Sequence, residues 1–75
     1  MKLGTIVKRE LYRELMVSIG YYDARRVLKL IEEDMVENEG LEKLSSLLEE
    51  RGFDGRQRQY VMEAVKSLGL LNRKL

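Results

Sequence analysis

Seventy-five residues, 44 % of them hydrophobic and 36 % charged, fit one small globular domain near the lower limit for a self-sufficient core, and are too apolar for a disordered chain. The chain has neither cysteine nor histidine. That rules out disulfides and thiolate or imidazole metal ligation, and leaves acid–base chemistry near neutrality only to a strongly shifted carboxylate, lysine or tyrosine. The net charge of +1 hides a segregation: residues 21–40 carry six acidic and three basic side chains, while both flanking stretches carry a small basic excess, so any electrostatic footprint is local.

In chain order, Thr5 is the first candidate helix cap. The helix it predicts, 5–19, repeats Val7, Leu11, Leu15 and Ile19 at i+4 spacing, flanked by Ile6, Tyr12 and Met16. That apolar stripe is broader than one buried face of so short a chain needs. The helix is either buried on two sides within the monomer or shared with a partner. The face bearing Ile6, Leu11, Tyr12, Leu15, Met16 and Ile19 is therefore the expected interface for a homodimer or a larger protein.

Gly20 ends this helix, and Tyr21-Tyr22 forms a connector to Asp23, the expected N-cap of a second helix over 23–37. Ala24, Val27, Leu28, Ile31 and Met35 keep helical spacing along it. Its outer face runs from basic (Arg25, Arg26, Lys29) to acidic (Glu32, Glu33, Glu37), against the helix dipole. Paired aromatics at a helix junction favour core and hinge packing, with base stacking as the alternative. The acidic run favours a solvated face, since it lacks calcium-loop spacing.

A loop at 38–40 leads to a third helix, 41–51, with Leu41, Leu44, Leu47 and Leu48 on one face. Gly52 suits the left-handed residue that ends a helix, with Phe53 folding back on it. Asp54 and Gln57 have the spacing of a capping box for a fourth helix, 55–68, whose buried stripe is Val61, Ala64, Val65 and Leu68. A short extended tail is expected over 70–75. No stretch alternates long enough for a sheet, so the expected fold is all-α, a small four-helix domain.

At Gly52-Phe53-Asp54, Val61-Met62, Val65 and Gly69-Leu70-Leu71 the spacing resembles winged-helix and related tri-helical helix-turn-helix domains. The resemblance covers residues 23–71 as the core, makes 5–19 an added N-terminal helix, and implies that 55–68 is a recognition helix. Arg58 stands where such domains bury an aliphatic residue, and Arg51 where they end a helix in leucine. Only four residues follow Leu71, too few for a two-stranded wing. The same spacing is also similar to the three-helix repeats of RecX-type recombination regulators.

Arg56, Gln57, Arg58, Gln59 and Tyr60 occupy the first turns of the last helix, where a recognition helix meets base edges and phosphates. Arg56, Gln57, Gln59 and Tyr60 would read the major groove of double-stranded DNA, with Arg58, Arg73 and Lys74 on phosphates. The expected function is a small DNA-binding transcriptional regulator. The alternative is a non-enzymatic interaction module or accessory subunit of a replication or transcription complex. No Gly-rich phosphate loop, nucleophile set or metal constellation is present, so neither enzyme activity, a cofactor nor a small-molecule substrate is expected. No membrane-spanning run or signal-peptide pattern is seen, and an intracellular location is the expectation.

Overall fold

The computed structural model describes residues 1–70. They form four helices and, among the described residues, no strand: α1 (Thr5–Ile19), α2 (Tyr21–Asp34), α3 (Leu41–Glu50) and α4 (Gly55–Ser67). The expected tail begins with Leu70 in a turn, and its remainder lies outside the described residues.

The helix α1 is the centre of the packing. It lies against both α2 and α4, while α3 packs on α4 and more lightly on α2. Leu11 and Leu15 are fully buried, in one cluster with Val27, Ile31, Leu44, Leu48, Val61 and Val65. The N-terminal helix is thus part of the core rather than an addition to a finished three-helix unit. No polar side chain is buried among the described residues, so the interior is held by apolar contact alone.

The helix ends follow local chemistry, and two starts differ from expectation. Gly4, not Thr5, is the N-cap of α1, with no side-chain cap bond. Gly20 alone joins α1 to α2: its N–H donates to the Met16 carbonyl and its own carbonyl accepts from Ala24. The second helix therefore begins at Tyr21, and Asp23 sits inside its first turn instead of capping it. There its carboxylate still faces the positive end of the helix dipole.

At the other end α2 stops at Asp34, three residues short of the expected Glu37. Met35 turns extended and is buried. The α-amino group of Met1 donates to the carbonyls of Ile31 (3.3 Å), Glu32 (3.0 Å) and Met35. Those are carbonyls the helix end leaves without partners, so a cation there replaces a further turn. Glu39 closes the following turn through Val36.

Both later glycine stops take the expected form. Gly52 has φ +88°, the Phe53 N–H donates to Leu48 (3.0 Å) and the Gly52 N–H to Glu49 (3.1 Å). This is the Schellman pair of bonds, with Phe53 buried beside Leu48. The same pattern recurs where Leu70 donates to Val65 and Gly69 to Lys66. Asp54 caps α4 with the full capping box.

Candidate functional site

The side chains expected to read DNA divide sharply. Arg56 is exposed and has no hydrogen-bond or ion-pair partner among the described residues. Tyr60 is also exposed. The other three are engaged within the chain. Gln57 accepts from the Asp54 N–H (3.1 Å) and donates to the Asp23 carboxylate (3.0 Å), using both ends of its amide. Arg58 donates to the Phe53 carbonyl at 2.6 Å. Its charge at a position of expected aliphatic burial is thereby explained: the guanidinium supports the turn before α4. Gln59 donates to Glu63 at 3.3 Å. Arg73 and Lys74 lie outside the described residues.

The expected interface set divides too. Leu11 and Leu15 are core residues, and Tyr12 and Ile19 pack partly against the core. Only Ile6, 71 % exposed, and Met16 remain open. The apolar breadth of α1 is largely absorbed inside the chain, because α2 and α4 cover it from two sides.

Two open surfaces border α1. A groove of about 640 Å³ runs between α1 and α4, lined by Arg13, Glu14, Val17, Ser18, Tyr60, Glu63, Ala64 and Ser67. Val17 is 91 % exposed. Six residues beyond Leu11 it points roughly 120° away from it, so its exposure was available from the helical phase alone.

A second cleft of about 620 Å³ lies along α1 and α2. Tyr21 and Tyr22, expected in core and hinge packing, stand 57 % and 74 % exposed beside it. Because α2 starts two residues early, both rings stand on its first turn rather than in a connector.

Arg26 ties these elements together from below. Its guanidinium lies 4.3 Å from the Phe53 ring centre and 5.9 Å from that of Tyr22. It also donates to Asp23 (3.0 Å) and to the Arg51 carbonyl (2.7 Å). Arg51 in turn reaches Asp34 at 2.7 Å, so a residue expected at a buried leucine position instead links α3 to α2 from the surface.

No group of acidic, histidine or cysteine side chains among the described residues could hold a metal ion. No helix among them is long and apolar enough to cross a membrane. No family model, curated protein or solved structure matches the chain. The described residues form an all-α four-helix domain whose α1–α4 groove and α1–α2 cleft differ in chemistry.

Proposed function

We propose that the chain is a non-enzymatic interaction module that associates through the α1–α4 groove with a second copy of itself. The observation that carries this reading is Val17, an aliphatic side chain almost wholly in water beside Tyr60 and Ala64. Removing such surface from water favours association, by about 25 cal/mol per Å² before the costs of docking. The groove rim supplies both signs of charge, Arg13 against Glu14 and Glu63. A two-fold axis can set the arginine of one copy against a carboxylate of the other, which is the self-complementarity an isologous contact requires.

Sedimentation equilibrium tests this directly. The wild-type chain should show a concentration-dependent dimer, and Val17→Asp should return it to monomer with helicity unchanged. A wild-type monomer at high concentration overturns the reading.

Duplex DNA binding by α4 is the second reading, favoured by the exposed Arg56 at the helix start, without a partner among the described residues, and by Tyr60 one turn on. Here Arg56→Ala should cost roughly 1–3 kcal/mol at a preferred site if it reads a base. Wild-type affinity should fall steeply with salt. Absence of duplex binding at low salt rejects it. The Glu14 and Glu63 carboxylates beside Tyr60 weigh against phosphates there, and favour the protein partner.

A further inference from the structure

We infer that the cleft along α1 and α2 is a binding site for single-stranded nucleic acid. Its wall brings the open rings of Tyr21 and Tyr22 together with Lys8, Arg25, Arg26 and Lys29, four cations against the two carboxylates Glu32 and Glu33. It shares no lining residue with the α1–α4 groove, and the inference does not depend on self-association.

The geometry separates cations that hold the protein together from those left for a ligand. Lys8 pairs with Glu32 at 3.0 Å, and Arg26 is committed to Asp23 and the Arg51 carbonyl. Arg25 donates to the Tyr21 hydroxyl at 3.1 Å, with its guanidinium 5.6 Å from the ring centre, and has no ion-pair partner among the described residues. Lys29, one turn further along α2, has no partner among the described residues. Arg25 and Lys29 are thus the two charges available to phosphates, on the same side of the helix as the tyrosines.

The rings are positioned to serve as platforms. Tyr21 is held edge-on against Tyr12, with centroids 6.1 Å apart and planes at 77°. Tyr22 has a cation near its ring and most of its surface in water. An exposed aromatic face flanked by cations is what unpaired bases stack on, without sequence preference. Paired bases present no free face to such a ring, so the site should discriminate strand state. Glu32 and Glu33 close the far end of the cleft and set a limit to the strand's path.

The probe is a fluorescein-labelled oligothymidylate of about 12 nucleotides, with a duplex of the same length as competitor. Binding is followed by anisotropy and by quenching of the chain's own tyrosine emission, which no tryptophan obscures. The single strand should bind more tightly than the duplex and quench the tyrosines. Tyr22→Ala should weaken binding about tenfold, whereas Tyr22→Phe, which keeps the stacking face, should retain it. Lys29→Gln should lower the salt dependence by about one ion. Both positions are exposed, and circular dichroism verifies that the variants fold. Three outcomes each overturn the inference: no binding at low salt, equal binding of duplex and single strand, or full affinity in Tyr22→Ala.

Discussion

The side-chain amide of Gln57 donates to the carboxylate of Asp23 at 3.0 Å, joining the start of α4 to the start of α2 across thirty-four residues. Its oxygen meanwhile accepts from the Asp54 N–H, so a single side chain caps one helix and clamps it to another. Gln57→Ala should therefore lower stability by about 1 kcal/mol. Gln57→Glu keeps the cap acceptor but sets a carboxylate against Asp23. It should be worse than alanine near neutral pH, because two like charges then face each other. Urea melts measure this. Equal stability of glutamate and glutamine variants at pH 7 would show that the amide does not carry the clamp.

Arg26 is the second joint, and its contacts depend on the shape of the guanidinium. A planar group can lie over Phe53 while its edges donate to Asp23 and to the Arg51 carbonyl; an ammonium cannot do all three. Arg26→Ala should cost about 1 kcal/mol, mostly from the cation–π contact, since water can replace the guanidinium at the exposed Arg51 carbonyl. The ion pair with Asp23 is partly open to water and adds little. Arg26→Lys should restore less than half of the loss. A lysine variant as stable as wild type in thermal melts would reduce the site to simple charge.

Gly20 carries the turn between α1 and α2, with φ +91° and ψ +166°. An added Cβ meets no atom within 4 Å, so packing does not forbid a larger residue there. The backbone does: this region is almost closed to side-chain-bearing residues, at a cost of order 1–3 kcal/mol. Gly20→Ala should show that loss in full. At Gly52 the φ of +88° lies with a helical C-cap, where asparagine is the tolerated substitute, so Gly52→Asn should cost less than Gly20→Asn. If Gly20→Ala melts with wild type, the link between α1 and α2 has relaxed to another conformation.

Gly20 also marks where sequence legibility ended. Spacing located all four helices, because each buried stripe repeats at the helical period and α4 has a capping box written in Asp54 and Gln57. The start of α2 was misplaced because Asp23 is a good cap by type, yet a glycine able to reach φ +91° lets the helix begin immediately. Its end was misplaced because the competing partner, the Met1 amine, comes from thirty or more residues away. The contacts of the polar side chains on α4 are hidden in the sequence for a related reason: such side chains at a helix start look free for a ligand until tertiary partners are known. Gln57 and Arg58 have such partners, and Arg56 has none among the described residues. For Tyr21 and Tyr22 the sequence leaves core packing and base stacking both open, and it is the early start of α2 that sets both rings on its first turn, open to water.

Tyr12 offers a probe of the aromatic cluster that does not require a ligand. Burial pushes its phenol above the ordinary value near 10.0, the neighbouring Tyr21 pushes it further once ionised, and Arg25 partly offsets both. The native chain therefore holds this proton more tightly than the unfolded chain does. Its contribution to stability is fully present below pH 10 and is lost as pH rises through the native pKa, because the unfolded chain ionises first. In an alkaline titration followed by ultraviolet absorbance, Tyr12 should give a late step, above the ordinary phenol range. Tyr12→Phe should remove that late step and flatten the alkaline fall in stability. Tyr21→Phe should bring the step to lower pH, and Arg25→Ala should move it higher, since one removes a like charge and the other an opposite one. A late step that survives in Tyr12→Phe would assign it to another ring and dissolve the proposed coupling between Tyr12, Tyr21 and Arg25.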